Sequence, residues 1–169
     1  TCDLVGISLS TQAGKACYIP LTHRAASTDD LFGSDDLAEG QVELEAALKA
    51  LKPALEDPSI LKIGQNVKYD AKVLMRYGIT MTPVDDTMLL SYAQHGGEHN
   101  HGMDLLAERY LGHVTQPIKE LIGTGKSQIT FDRVPIDQAT AHAAEDADVT
   151  FRLWPAFKPA LHKVGLTTV

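Results

Sequence analysis

The spacing of apolar and polar positions changes character along the chain. Leu4-Val5-Gly6-Ile7-Ser8-Leu9-Ser10 is short and rich in strand formers, and Gln12-Ala13-Gly14 turns it into Ala16-Cys17-Tyr18-Ile19-Pro20. This predicts a hairpin with Cys17 near Ser8 and away from Cys2. Thr22–Gly40 is polar, with Asp29, Asp30, Asp35 and Asp36, and reads as a mobile loop. From Val42 to Leu55 the apolar residues Leu44, Ala47, Leu48, Leu51 and Leu55 fall at helical spacing, with Pro53 bending the last turn. A short buried strand, Ile60-Leu61-Lys62-Ile63, is followed by a helix over Tyr69–Tyr77 that Gly78 caps. Asp86 is placed to cap a helix over Thr87–Ala93. His95–Gly102 is a loop, Met103–Leu111 a helix, Gly123–Ser127 a loop, and Ile136–Trp154 the longest helix, its continuation toward Val169 kinked by Pro155 and Pro159. Strands first and then alternating helices predict an α/β domain with a mixed sheet.

Composition narrows the class without naming a function. The 169 residues fit one domain, and 44% hydrophobic with 22% charged residues is the balance of an ordinary globular protein. No apolar run approaches the roughly 20 residues that span a bilayer, and no charged-then-apolar leader opens the chain, so a cytoplasmic protein is expected. Two cysteines are too few for a disulfide scaffold. The net charge of −7 argues against a stand-alone duplex binder, which needs lysines and arginines on phosphates. It does not argue against a nuclease whose carboxylates hold cations.

The long helix carries the first chemical signal. Ala139, Ala143, Val149 and Leu153 share a stripe, and His142 and Asp146 fall on it one turn apart. Glu145, Asp148 and Arg152 fall elsewhere and read as solvated surface charges. An inward Asp needs a cation, hydrogen bonds or a raised pKa. Asp70 repeats the anomaly, sharing a face with Leu74 and Tyr77 while Lys68, Lys72 and Arg76 line the other. Asn66 precedes it by four residues, where a strand hands over to a helix. Spacing alone leaves open that Asp70 caps a helix and Asp146 is a buried hydrogen-bonding residue.

Three weaker signals have ordinary readings. His95, His99 and His101 lie among glycines with no cysteine or spaced acidic pair to complete a metal set, and read as a solvated loop. Gly125-Lys126-Ser127 fails the phosphate-loop spacing because residue 120 is Glu. Asp86 and Asp104 read as helix caps, and Trp154 and Phe157 as core.

Taken together, Gly64-Gln65-Asn66-Val67-Lys68-Tyr69-Asp70 and Ala143-Ala144-Glu145-Asp146-Ala147-Asp148-Val149-Thr150 resemble the second and third motifs of a known family. It is the 3′→5′ proofreading exonuclease domain of bacterial DNA polymerase I (family A), within the DEDD exonuclease superfamily. Asp85-Asp86-Thr87-Met88-Leu89, Met103-Asp104-Leu105-Leu106-Ala107-Glu108-Arg109 and Gly125-Lys126-Ser127-Gln128-Ile129-Thr130-Phe131 resemble segments between those motifs, in order along nearly the whole chain. The resemblance implies a ribonuclease-H-like fold and two-metal hydrolysis at the 3′ end of single-stranded DNA, with Mg²⁺ or Mn²⁺ held by four carboxylates. It places Asp146 on one metal and Asp70 on the other. Gln65, Asn66 and Tyr69 line the nucleotide groove, and a polymerase domain of the same parent chain is the partner. A nucleoid-associated location without membrane contact is implied.

Departures from the family pattern shape what is expected. The opening Asp-x-Glu motif and its strand are missing upstream of Thr1, and Asp3 does not replace them, so the chain alone is expected to be crippled or inactive. His142 stands where the family has Tyr, four residues before Asp146, and becomes the candidate water-orienting group. The histidine subclass of the superfamily spaces its His one residue further away. Ile118 replaces an aromatic, and Asn100 lies near the place of a basic residue. A silent structural module and a ribonuclease of the same superfamily are the alternatives.

Overall fold

A computed structural model describes residues 3–25, 36–163 and 165. Cys2 and most of the expected mobile loop, including Asp29, Asp30 and Asp35, lie outside the described residues. The predicted hairpin forms from β1 (Gly6–Gln12) and β2 (Lys15–Pro20), antiparallel around Ala13 and Gly14. Gly14 takes φ 74°, a left-handed value that favours glycine in this two-residue turn. The register shifts between Ser10 and Gln12 and sets Cys17 opposite Leu9, beside Ser8 as expected. Cys17 is exposed.

The exit of the hairpin is fixed by a histidine that the sequence did not single out. His23 is fully buried, and its Nδ1 lies 3.1 Å from the carbonyl oxygen of Val134. A carbonyl only accepts, so Nδ1 carries the proton and Nε2 accepts from the Tyr18 hydroxyl at 2.8 Å. Burial lowers the pKa of His23 and pushes Tyr18 up to about 12, which keeps both neutral in this chain of hydrogen bonds. Gly6 leaves room for Tyr18: a Cβ there would stand 2.1 Å from the Tyr18 hydroxyl oxygen.

Downstream, α1 (Leu44–Glu56) is capped by Glu43, whose carboxylate accepts from the amides of Glu45 and Ala46. Pro53 sits inside it without ending it. Next come β3 (Lys62–Gly64), α2 (Val67–Met75), β4 (Val84–Asp86), α3 (Thr87–His95), α4 (Met103–Leu111), α5 (Ile118–Ile122) and α6 (Ile136–Lys163). The expected strand begins later than its apolar residues suggested. Ile60 and Leu61 are exposed, because the chain turns at Asp57 and hydrogen-bonds to β4 only from Lys62 on.

Helix α6 is the axis of the domain. Ala139, Val149 and Leu153 are fully buried as their spacing predicted, and Phe157 and Leu161 extend the stripe beyond Pro155. The expected continuation beyond Trp154 is helical, and α6 runs through both prolines to Lys163. Packing against Leu90, Leu106 and Ala107 holds the segment, and Gln94 Nε2 donates to the Phe157 carbonyl at 3.1 Å. Asp85 adds a polar lock, accepting from Trp154 Nε1 at 2.7 Å and Lys158 Nζ at 3.0 Å.

The strands form two separate ladders, antiparallel β1–β2 and parallel β3–β4, and α6 packs against both. The mixed pairing expected of one sheet is present but divided, since no described strand bonds to both ladders. Smaller cores lie between the hairpin and α1 (Leu4, Leu21, Ala47) and between α1 and α2 (Leu55, Leu74, Ile79).

Candidate active site

The turn from β3 into α2 is held by one carboxylate. Asp86, buried at the end of β4, accepts from the amides of Asn66 and Met88 with Oδ1 and from Val67 with Oδ2, each at 2.9 Å. It thus caps α3, as predicted, and also supplies acceptors at the start of α2, which its own Asn66 side chain does not cap. Asn66 is held in the left-handed region at φ 60°, ψ 42°, a conformation that asparagine tolerates better than most residues. Beside it, Gln65 donates to the His101 carbonyl at 2.8 Å and accepts from the Thr87 hydroxyl. Its amide is thus occupied inside the protein. Tyr69 is 53% exposed on the first turn of α2.

Asp70 is solvent-exposed rather than inward, which corrects the helical-face reading. Leu74 is buried and Tyr77 packs beside the hairpin core, but on the first turn of α2 it is Val67 that is buried, not Asp70. Surrounding atoms still take water from the carboxyl and, with the negative charge of Asp86, push it up to about 6.

On α6, His142 is buried and its Nε2 lies 3.6 Å from Asp146 Oδ2. The other ring nitrogen, Nδ1, is buried without a hydrogen-bond partner among the described residues. The Asp146 side chain is 33% exposed. Burial pushes its carboxyl up to about 6; His142 opposes that shift, and negative charge on Glu145 and Asp104 reinforces it.

Glu145 and Asp148 are not solvated surface charges, and that expectation is corrected. Glu145 Oε1 lies 2.8 Å from His113 Nε2, and Oε2 accepts from the Gln116 amide at 2.9 Å. Asp148 accepts from the Gly14 amide at 2.6 Å and pairs with Arg152 at 3.4 Å. They fasten α6 to the segment after α4 and to the tip of the hairpin. Asp104 is also not the predicted cap. Gly102 takes that position, and Asp104 accepts from the Thr115 hydroxyl at 2.7 Å.

Two groups result: Gln65, Asn66, Tyr69 and Asp70 around the β3–α2 turn, and His142 with Asp146 on α6, the helix that packs against β3. Among the described residues no three carboxylates converge within reach of one cation. Ile118 is 44% exposed at the start of α5, and Asn100 closes its loop by accepting from the Gly102 amide at 2.7 Å. Sequence reasoning missed the second role of Asp86 and the anchoring of Asp85, because both depend on contacts with distant segments.

Comparisons with known proteins give the family and the fold. The family model described as 3′-5′ exonuclease matches residues 1–162. DNA polymerase I of Rhizobium leguminosarum is 48% identical over 176 residues, spanning 99% of this chain and 17% of that protein. DNA polymerase I of Pseudomonas aeruginosa is 41% identical over 168 residues, spanning 96% of this chain and 17% of that protein. The chain thus covers a small part of the length of these relatives. Among solved structures, Brucella melitensis NrnC superposes with a TM-score of 0.68 at 20% identity, over 98% of this chain and 68% of that one. The Pol1 structure from M. smegmatis gives 0.61 at 21%, over 96% and 22%. These two likenesses show the fold, a ribonuclease-H-like α/β arrangement. A family match along nearly the whole length, together with two bacterial relatives above 40% identity, settles the assignment: the chain belongs to the 3′-5′ exonuclease family of bacterial DNA polymerase I.

Proposed function

We propose that residues 1–169 form the proofreading domain of a DNA polymerase, removing nucleotides from single-stranded DNA 3′ ends ahead of a polymerase region later in the same protein. The observation that carries the reading is Asp146, a half-buried carboxylate crowded by the charges of Glu145 and Asp104 and faced by His142. Such an oxygen site suits a hard divalent cation, which relieves the repulsion. A structural neighbour from Brucella melitensis has bound Mg²⁺. Asp146 and Asp70 would hold Mg²⁺ or Mn²⁺ together with carboxylates of an upstream Asp-x-Glu strand. Bound there, the cations supply positive charge to the scissile phosphate and the leaving 3′ oxygen and lower the pKa of water.

The residues of this chain then do the positioning. Asn66, in its fixed left-handed turn, and Tyr69, exposed one turn further on, meet the terminal nucleotides. Gln65 acts from behind by holding the His101 carbonyl. His142 presents an imidazole nitrogen beside Asp146 and orients the attacking water or takes its proton. In the whole polymerase, His142→Phe is therefore expected to lower the nuclease rate at saturating DNA, and an unchanged rate would remove His142 from the chemistry.

A second reading, a module kept without cutting, is favoured by the exposed aliphatic Ile118 in place of a stacking ring. Base stacking on an aromatic contributes about 1–3 kcal/mol per base. Rates on single-stranded DNA and RNA of the same sequence, measured with the whole polymerase, separate the readings. Faster loss of DNA supports the proposal, faster loss of RNA indicates a ribonuclease, and neither indicates a silent module.

A further inference from the structure

The loop between α3 and α4 places two imidazoles and a carboxylate around one point. His95 is the last residue of α3, and Gly96 and Gly97, the latter at φ 84°, turn the chain so that Glu98 donates its amide to the His95 carbonyl at 3.0 Å. The turn brings Glu98 Oε2 within 3.2 Å of His95 Nδ1. Ligand atoms of His95, Glu98 and His99 all lie within 4.8 Å of one another. Glu98 is the acidic member that residue spacing in this loop did not reveal.

His99 supplies the second, independent observation. Its Nδ1 lies 2.7 Å from the Asn100 carbonyl, which can only accept, so Nδ1 carries the proton. Nε2 is left with its lone pair, and it is buried without a hydrogen-bond partner among the described residues. A histidine with one ring nitrogen fixed by a carbonyl and the other bare is the arrangement that metal-ligating histidines use.

We infer that His95, Glu98 and His99 form a binding site for a transition-metal dication of the zinc class, separate from the carboxylates on α2 and α6. Two imidazoles and one carboxylate prefer such an ion over Mg²⁺ and leave a fourth position for water. Ligands at about 2.0–2.1 Å around a tetrahedral ion stand roughly 3.3 Å apart, so the loop closes by up to about 1.5 Å, which its glycines permit. His101, its ring centroid 4.9 Å from that of His99, offers the carbonyl that holds Gln65. An ion here would therefore stiffen the support of the β3–α2 turn.

The test is titration of the whole chain with Co²⁺ in millimolar Mg²⁺, followed by visible absorption, with Zn²⁺ as competitor. One equivalent of Co²⁺ should develop tetrahedral ligand-field bands that Zn²⁺ abolishes. Glu98→Gln and His99→Gln should each weaken binding at least about tenfold. Circular dichroism of each variant should match that of the native chain. Absence of the bands, or native-strength binding by the His95→Gln/His99→Gln double variant, would overturn the assignment.

Discussion

Asp146→Asn is expected to raise the melting temperature of this chain at pH 7.5 in the absence of divalent cations, while removing nuclease activity from the polymerase that carries it. The carboxyl of Asp146 titrates near 6 in the fold, against an ordinary value of 3.8. The folded state therefore holds this proton more tightly than the unfolded chain does. Between about pH 4 and pH 6 the unfolded state releases it first, so stability falls as pH rises through that window and the deficit is complete above it. A shift of roughly two units corresponds to about 3 kcal/mol, which solvent screening at a side chain 33% exposed reduces to about 1–2 kcal/mol. For a chain of this size that is about 2–6 °C. The difference between native and variant should vanish near pH 4 and reverse in Mg²⁺ once the other ligands are present. A variant that melts lower than the native chain at pH 7.5 would remove the claim that Asp146 is held under electrostatic strain for a cation.

The largest loss of stability is expected from Asp86→Ala. Three amides, those of Asn66, Val67 and Met88, lose a charged acceptor at once. Lost caps cost about 0.5–2 kcal/mol, and hydrogen bonds to charged groups about 1.5–3 kcal/mol. With water replacing part of this, about 3 kcal/mol is expected, or a fall of roughly 6–12 °C. Asp86→Asn keeps one acceptor oxygen and should fall between. Because the charge of Asp86 helps to raise Asp70, Asp86→Asn should also move the Asp70 carboxyl down from about 6 in an NMR titration. A loss below about 1 kcal/mol for Asp86→Ala would mean that the two helix starts do not depend on this side chain.

Elements with several turns of consistent spacing were readable from the chain alone. Met103–Leu111 and the stripe of Ala139, Val149 and Leu153 are where the apolar periodicity placed them. The three-residue β4 and five-residue α5 were not, because they are too short for periodicity to register. A helical face gives the direction of Asp70 relative to Leu74, but not whether the core reaches that turn. Glu145 and Asp148 looked solvated because their partners, Gln116 and Gly14, are 29 and 134 residues away. The segment beyond Pro155 stays helical because packing of Phe157 and Leu161 outweighs the proline penalty. For the site, the residues were nameable from motif resemblance, but the loop turn that joins Glu98 to two histidines was visible only in three dimensions.

Whether Asp146 serves a cation that cuts DNA is decided by hydrolysis of a 3′-labelled single-stranded DNA in Mg²⁺, comparing the polymerase that contains this domain with its Asp146→Asn variant. The native enzyme should release the label from the 3′ end, chelation should abolish that release, and the substitution should reduce it at least about 10²–10³-fold. Equal release by the two proteins, or none by the native enzyme, would contradict a metal-dependent exonuclease built on Asp146.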